Sequence, residues 1–199
     1  MRSMRGCRRS AGSSCRLHGA VALSLDGLTL ILGGVRSGKS RLAERLAREA
    51  GRPVTYVATA LAGDEEMRAR IDAHRARRPA HWALVEEPLR LAAVLAEVCL
   101  PGRCVIVECL TLWLTNLLCA DDGALLEREL AALRGVLPAL RGQVLLVGNE
   151  VNMGVIPADV LTRRYCDLAG ELHQVLAARC ERVVLTVAGL PLVLKGEAP

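Results

Sequence analysis

The chain has 199 residues, the usual size of one domain with a sizeable buried core. Its formal net charge of +5 comes mostly from residues 1–26, where five arginines oppose the single acidic residue Asp26, so the rest is almost neutral. With two Tyr, two Trp and no Phe, the sequence has neither a broad basic face nor the aromatic platforms on which single strands stack. We therefore expect no nucleic-acid partner.

The cysteines and the N-terminal segment both indicate a cytoplasmic protein. Eight cysteines occur without a CxxC pair or a Cys/His metal spacing, which favours reduced thiols over a disulfide framework. Residues 1–26 are basic but lack a compact apolar stretch before a cleavage site. We expect a flexible extension there, or translation begun upstream of the functional start, followed by one domain over 27–199. No run reaches the roughly 18 apolar residues of a membrane span.

The predicted elements alternate between strand and helix. Short apolar runs that do not alternate predict strands buried on both faces, at 28–32, 53–58, 104–108, 143–147 and 182–187. Helical patterns lie between them, at 37–50, 64–76, about 88–98, 122–140 and 157–179. Strand followed by helix, repeated, predicts an α/β fold with a mostly parallel central sheet, right-handed crossovers and flanking helices.

The first predicted strand runs into a glycine-rich loop. Residues 33–40 read GGVRSGKS and match G-x-x-x-x-G-K-[ST] between a buried strand and a helix. Glycines let backbone N–H groups turn inward around phosphate oxygens, and the helix N-terminus adds its positive end. Lys39 is expected to reach the β and γ phosphates, and the Ser40 hydroxyl to ligate Mg²⁺. The pattern predicts a P-loop nucleotide site; a glycine-rich turn with a surface lysine is the alternative.

A carboxylate follows a central predicted strand. Glu108 closes the run CVIVE, where P-loop proteins place the acidic residue that contacts Mg²⁺ directly or through water. The alternative is a glutamate that is simply exposed at the strand end. The N-K-x-D guanine signature of switch GTPases is absent, and the D-x-x-G at 167–170 falls late, inside a helical pattern. A switch GTPase is therefore disfavoured.

A histidine lies in the second predicted helix. Met67, Ile71 and His74 recur at i, i+4 and i+7, which places His74 on the inward face of a helix that Pro79 ends. Such a histidine is more often a packed, hydrogen-bonded residue than a nucleophile. Three arginines follow it at once: Arg75, Arg77 and Arg78. They could hold a triphosphate while a neutral imidazole attacks phosphorus. Arginine charges lower the pKa of His74 and a helix C-terminus raises it, so the sequence leaves its protonation open.

Several blocks occur in a fixed order: GGVRSGKSRLAE, VTYVATA, DEEMRARIDAHRARRPAHW, VIVECLTLWLTNLL, and NEVNMGVIP with a later RRYCDLAGELHQ. From about Leu28 to Lys195 the chain resembles the bifunctional adenosylcobinamide kinase / adenosylcobinamide-phosphate guanylyltransferase family of cobalamin biosynthesis. The resemblance implies a RecA-like P-loop domain, a homo-oligomer and two reactions. ATP or GTP first phosphorylates a hydroxyl of adenosylcobinamide. GTP then guanylylates a histidine, and the GMP passes to adenosylcobinamide phosphate to give adenosylcobinamide-GDP.

The resemblance also implies roles for individual residues, carried across by position. By the resemblance His74 is the nucleophile, while the catalytic role of Lys39 and the Mg²⁺ ligands Ser40 and Glu108 are those expected from the P-loop motif and the strand end. The nucleotide contacts fall on Gly33, Gly34, Val35, Arg36, Ser37, Gly38, Lys39, Ser40, Thr59, Ala60, Leu61, Arg75, Ala76, Arg77, Arg78, Glu86 and Glu108. The partner is a corrinoid small molecule.

Two positions depart from the family pattern on the corrinoid side. Asn152 occupies a glycine position in NEVNMG, where asparagine tolerates positive φ better than most residues. His173 stands where the family has asparagine. Two other functions stay open from the residues alone. One is a different P-loop small-molecule kinase in which His74 only contacts phosphate, and the other is a non-catalytic nucleotide-binding regulator.

Overall fold

The computed structural model describes residues 26–197, except for the side chain of Arg70. The predicted N-terminal extension therefore lies outside the described residues, apart from Asp26. Asp26 forms an ion pair with Arg52. Within the described range no helix is long and apolar enough to cross a membrane. The six cysteines of this range are free thiols.

Seven strands and six α-helices make up the described part of the chain. The strands are β1 (Gly27–Gly33), β2 (Val54–Ala58), β3 (Ala83–Glu86), β4 (Cys104–Glu108), β5 (Gln143–Asn149), β6 (Arg182–Val187) and β7 (Leu190–Lys195). The helices are α1 (Lys39–Glu49), α2 (Glu65–Arg77), α3 (Leu91–Val98), α4 (Leu110–Leu118), α5 (Leu125–Val136) and α6 (Val160–Arg179). A 3₁₀ turn at Leu137–Ala139 continues α5.

The strands form one sheet in the order β3-β2-β4-β5-β1-β6-β7. All neighbours pair in parallel except β6 and β7, which are antiparallel. The predicted α/β class with a mostly parallel sheet is confirmed. One strand, β5, separates β1 from β4. The carboxyl ends of the parallel strands meet at one edge, where ligands of open α/β sheets bind.

Two hydrophobic clusters cover the two faces of the sheet. Along β1, Leu30 and Leu32 belong to the first cluster, with α3 to α6, and Ile31 belongs to the second, with α1. This alternation follows from the two-residue period of a strand, and it explains why the predicted strands have apolar residues on both faces. A fully buried leucine or isoleucine contributes roughly 1.5–3 kcal/mol. The central strands are therefore firmly held, and they fix the loops at their carboxyl ends.

Three elements lie outside the sequence prediction: β3, α4 and β7. The edge strands β3 and β7 are largely exposed, and β7 contains Pro191, a residue that central strands exclude and edge strands tolerate. Helix α4 reads LTLWLTNLL and buries Trp113 completely. Its buried residues Leu110, Trp113, Leu114 and Leu117 follow the i, i+3, i+4, i+7 spacing of one helix face, so this short helix could have been predicted from the sequence.

Candidate active site

The loop between β1 and α1 needs glycine at two positions because the protein itself packs closely there. Gly33 has φ 152°, and a Cβ on it would lie 2.3 Å from the carbonyl oxygen of Thr186. Gly38 has φ 103°, and its Cβ would lie 3.1 Å from Cα of Gly189. A Cβ on Gly34 meets no atom within 4 Å. Packing against β6 and the following turn thus requires Gly33 and Gly38, whereas Gly34 leaves open space beside the cleft.

Lys39 begins α1 and lies across this loop. Its Nζ donates a hydrogen bond of 2.6 Å to the carbonyl oxygen of Gly34, and the side chain is almost fully buried. Burial lowers the pKa of Lys39, while the carboxylate of Glu108 and the thiol of Cys109 act in the opposite direction. The loop therefore holds an amine in its interior, where it can exchange a backbone carbonyl for a phosphate oxygen.

Ser40 and Glu108 are in direct contact. Ser40 Oγ donates to Glu108 Oε1 at 2.9 Å, and the buried Oε2 atom has no hydrogen-bond partner. Burial raises the pKa of Glu108 to about 7, and the Ser40 hydrogen bond and Lys39 partly oppose this rise. A buried oxygen without a partner is costly, and a cation beside it removes that cost. Mg²⁺ is commonly held by one or two protein oxygens together with phosphates and water, so Ser40 and Glu108 fit this ion.

Thr59 holds the backbone around Glu108 in place. Its hydroxyl donates to the carbonyl oxygen of Cys109 at 2.7 Å and accepts from the Cys109 N–H at 2.9 Å, while its own N–H donates to the Glu108 carbonyl. Asn116 Nδ2 in turn donates to the Thr59 carbonyl oxygen at 2.8 Å. Thr59 is completely buried. Its hydroxyl is thus engaged with the protein, and it supports the carboxylate from behind.

A cleft of about 1040 Å³ lies at the carboxyl edge of the sheet. The residues predicted as site residues that line it are Val35, Arg36, Ser37, Gly38, Lys39, Ser40, Ala60, Leu61, His74, Arg75, Arg77, Arg78, Glu86 and Glu108. Four predicted contacts do not line it: Gly33, Gly34, Thr59 and Ala76. Gly33 and Thr59 are buried in the protein, whereas Gly34 and Ala76 are exposed outside the cleft wall. The structure therefore brings the P-loop, the strand ends and α2 around one space.

Helix α2 forms one wall of the cleft. Its N-terminus is capped by Asp64, whose carboxylate accepts from the Met67 N–H, and its last residue precedes Arg78 and Pro79. Met67, Ile71 and His74 all face the cleft, as their spacing predicts. Burial, and after it the charge of Arg77, lowers the pKa of His74. The balance that the sequence leaves open is thus resolved towards a neutral imidazole.

The three arginines after His74 each have a partner in the protein. Arg75 Nη2 lies 2.6 Å from Glu86 Oε1. Arg77 lies near Glu44, a buried carboxylate of α1, and Arg78 stacks over the Tyr56 ring with its guanidinium carbon 5.0 Å from the centroid. Glu44 is a feature that sequence reasoning missed, because it reads as one more polar residue of an amphipathic helix. The arginines are thus held at the cleft wall by contacts that phosphate oxygens could replace.

The two departures from the family pattern are both accommodated. The N–H of Asn152 donates to Glu150 Oε1 at 2.7 Å, and its Nδ2 donates to the Cys166 carbonyl oxygen. Among the described residues that are not glycine, only Arg36 and Ala188 have positive φ, so Asn152 needs no left-handed backbone. His173 is buried, with Nδ1 3.7 Å from Glu150 Oε2. Burial lowers the pKa of His173, and the carboxylate of Glu150 only partly opposes this shift.

Several solved structures have a similar course of the chain. The P4 protein from bacteriophage phi6 in complex with ADP is 16% identical, with 84% of this chain and 54% of that chain covered, at a TM-score of 0.45. The RadB recombinase is 18% identical, with 80% and 73% covered, at a TM-score of 0.43.

Sequence relatives are much closer. The family model for cobinamide kinase / cobinamide phosphate guanyltransferase matches residues 29–194. The bifunctional adenosylcobalamin biosynthesis protein CobP of Pseudomonas aeruginosa is 62% identical over 168 residues, covering 84% of this chain and 97% of the relative. CobU of Salmonella typhimurium is 38% identical over 181 residues, covering 84% and 99%. These matches confirm the resemblance read from the motif blocks, and with it the prediction of a bifunctional enzyme of cobalamin biosynthesis. The chain belongs to the cobinamide kinase / cobinamide phosphate guanyltransferase family.

Proposed function

We propose that this protein phosphorylates adenosylcobinamide with ATP or GTP, and then transfers GMP from GTP through His74 to adenosylcobinamide phosphate, giving adenosylcobinamide-GDP. The observation that carries the proposal is the single cleft in which a P-loop and a neutral, half-buried histidine face each other. Family membership supports the corrinoid substrate. Residues 27–199 form the catalytic unit, which the extent of the family match supports.

In the kinase reaction the protein binds the nucleotide and the corrinoid and aligns their reacting groups. The corrinoid hydroxyl oxygen attacks the γ phosphorus, the bond from that phosphorus to the β–γ bridging oxygen breaks, and the hydroxyl proton passes to water. Lys39 and the N–H groups at the start of α1 bind the phosphate oxygens and stabilise the charge that moves onto the leaving group. Ser40 and Glu108 would hold Mg²⁺, which when bound neutralises phosphate charge. Glu108 therefore acts in its ionised form, although burial favours its protonated form.

In the guanylyl transfer a ring nitrogen of His74 attacks the α phosphorus of GTP and pyrophosphate leaves. The lowered pKa of His74 keeps the ring neutral near pH 7, so a lone pair is available. Arg75 and Arg78 can exchange their protein partners for phosphate oxygens, which bind guanidinium bidentately. The phosphate of adenosylcobinamide phosphate then takes the GMP from the histidine.

We also propose an oligomeric state and a cellular location for the protein. A segment after β5 exposes a run of large apolar side chains, among them Met153, Val155 and Ile156, which are 77%, 96% and 83% exposed. Exposed apolar patches of this kind mark interaction sites. They support a homo-oligomer in the cytoplasm, where free thiols stay reduced. Light scattering of the purified protein gives the oligomer number.

The deciding experiment uses α-³²P-GTP and purified variants. Wild-type protein should acquire acid-labile, alkali-stable label, as a phosphoramidate does, and should convert adenosylcobinamide to its GDP derivative. His74→Asn should lose the label and the second reaction while retaining a substantial part of the kinase activity, because phosphoryl transfer needs no protein nucleophile. His81→Asn, at an exposed position just beyond α2, is the matched control. Label that persists in His74→Asn and vanishes in His81→Asn would exclude His74.

A further inference from the structure

Arg77 lies between the proposed nucleophile and a buried carboxylate. Its Nη2 atom is 3.3 Å from His74 Nδ1 and 3.7 Å from Glu44 Oε1. The Glu44 side chain is only 5% exposed, whereas that of Arg77 is 38% exposed. The same Nη2 atom of Arg77 therefore lies close to both the buried carboxylate and the imidazole.

A second arginine holds this arrangement together. Arg48 Nη2 lies 3.6 Å from Glu44 Oε2 and donates to the Arg77 carbonyl oxygen at 3.5 Å. The Arg48 guanidinium also lies over the Trp82 ring, 5.6 Å from its centroid. Both oxygens of Glu44 thus face guanidinium groups, and the end of α2 is tied to α1 beside His74.

The contact with Arg77 favours one of the two neutral tautomers of His74. A guanidinium remains protonated and has five N–H donors but no acceptor. Where Arg77 points an N–H at Nδ1, that nitrogen must present its lone pair. A neutral imidazole has one proton on its two nitrogens, so the proton is on Nε2.

We infer that Arg77, anchored by Glu44, is a positioning residue that holds His74 in the Nε2–H tautomer, so that GMP is accepted on Nδ1. The inference rests on the proposed function, because it concerns the same histidine. In this arrangement Arg77 covers the Nδ1 lone pair. When the triphosphate binds, its oxygens draw the guanidinium away, since charged phosphate is a stronger acceptor than a neutral ring. The nucleophile is thus uncovered by its own substrate.

The transfer balances in this tautomer. The Nδ1 lone pair forms a bond to the α phosphorus, the bond from that phosphorus to the α–β bridging oxygen breaks, and pyrophosphate leaves with the electron pair. The ring keeps the Nε2 proton and carries one positive charge, which makes it a good leaving group. A phosphate oxygen of adenosylcobinamide phosphate then attacks the same phosphorus, and the electron pair returns to Nδ1.

Nuclear magnetic resonance of protein labelled with ¹⁵N-histidine tests the tautomer and the site of attachment. Long-range ¹H–¹⁵N correlations distinguish the nitrogens, because Nε2 couples to both ring C–H protons and Nδ1 couples strongly to only one. His74→Asn identifies the resonances of His74. We expect the Nε2–H pattern without nucleotide, and phosphorus attached to Nδ1 after reaction with GTP and pyrophosphatase. Attachment to Nε2 of His74 would overturn the inference while leaving the proposed function intact, whereas absence of any label on His74 would overturn both.

Substitutions at Arg77 and Glu44 test whether these residues orient His74 or only stabilise the fold. A glutamine side chain both donates and accepts, so Arg77→Gln should admit the Nδ1–H tautomer and slow single-turnover guanylylation at saturating GTP at least tenfold. Arg77→Lys, which can only donate, should restore the Nε2–H pattern. Glu44→Gln, outside the cleft wall, should give an intermediate tautomer mixture and a lower rate constant with little change in the GTP concentration for half-saturation. Arg45→Gln, exposed on α1, is the control for loss of one arginine. If Arg77→Gln is folded by its melting temperature and keeps a pure Nε2–H pattern, Arg77 does not set the tautomer.

Discussion

Ser40 Oγ donates a hydrogen bond of 2.9 Å to Glu108 Oε1, and so joins the start of α1 to the end of β4. The two strands that lead to these residues are not neighbours, because β5 lies between them. The contact therefore exists only in the folded sheet. It leaves the second carboxylate oxygen of Glu108 buried and without a hydrogen-bond partner, which supports the proposal that this group binds a cation.

Replacement of Glu108 by glutamine should flatten the pH dependence of stability. Burial raises the pKa of Glu108 from 4.5 to about 7, so between these values the folded protein binds a proton that the unfolded chain releases. Stability from this group is fully present below pH 4.5 and is lost as pH rises towards 7, in total about 3 kcal/mol. Urea unfolding at pH 5 and 7.5 should show this loss in wild type but not in Glu108→Gln.

Magnesium should act on the same group. Because Mg²⁺ favours the ionised carboxylate, it should raise the melting temperature of wild type at pH 7.5 and leave that of Glu108→Gln unchanged. Glu97→Gln, exposed on α3, controls for the loss of one negative charge. For the pH prediction of the preceding paragraph, equal changes of unfolding free energy between pH 5 and 7.5 in wild type and Glu108→Gln would show that the carboxylate titrates normally.

Lys39→Ala should severely reduce phosphoryl transfer without unfolding the protein. The substitution removes a charge expected at the β and γ phosphates, and loss of one such preorganised group costs on the order of 3 kcal/mol, or about a hundredfold in rate. The described hydrogen bond lost from Nζ is the one to Gly34, so the fold should survive. Steady-state kinase assays, with circular dichroism as the check on folding, measure this. Activity within threefold of wild type would contradict the role of the loop.

The order of the central strands follows poorly from sequence, although their existence follows well. The runs that end at Gly33 and Glu108 are mostly apolar because each strand is buried on both faces, and this makes them easy to recognise. No local pattern shows that β5 lies between them, since pairing depends on contacts across more than a hundred residues. The edge strand β7 is mostly exposed and lacks a buried run. A strand that is buried on both faces is thus easier to recognise in the sequence than an exposed edge strand.

Some residues of the candidate site can be predicted from the sequence, and others are recognised only in the structure. Lys39, Ser40, Glu108 and His74 are readable because each belongs to a motif with a fixed chemical role. Glu44 and Asn116 are not, since their importance lies in which groups they meet in space. The protonation of His74 also needed the structure, because burial is the larger cause of its lowered pKa and sequence gives only the neighbouring charges.

Gly33 and Gly34 should respond differently to alanine. At Gly33 a Cβ would meet the Thr186 carbonyl oxygen at 2.3 Å, and the backbone has positive φ, so Gly33→Ala should lose more than about 2 kcal/mol of unfolding free energy. Gly34→Ala meets no atom within 4 Å and should melt close to wild type. Urea unfolding measures the unfolding free energies of the two variants, which differ only in the position of the same substitution. Equal stability of the two would mean that β6 does not pack on the loop in this way.

Thr59 gives a direct comparison between the role implied by resemblance and the role the structure suggests. If Thr59 binds nucleotide, Thr59→Val should raise the KM for the nucleotide. The structure instead engages its hydroxyl with the backbone of Cys109, so we expect lower kcat in the kinase reaction, by about tenfold, with KM changed less than twofold. The physical reason is that the Cys109 N–H loses its partner, at a cost of about 1–3 kcal/mol, and the adjacent Glu108 is less firmly held. Thr59→Ser keeps the hydroxyl and should restore kcat, whereas Thr115→Val, which removes a hydroxyl bonded within α4, should not lower it. If Thr59→Val instead raises KM and leaves kcat unchanged, Thr59 contacts the nucleotide.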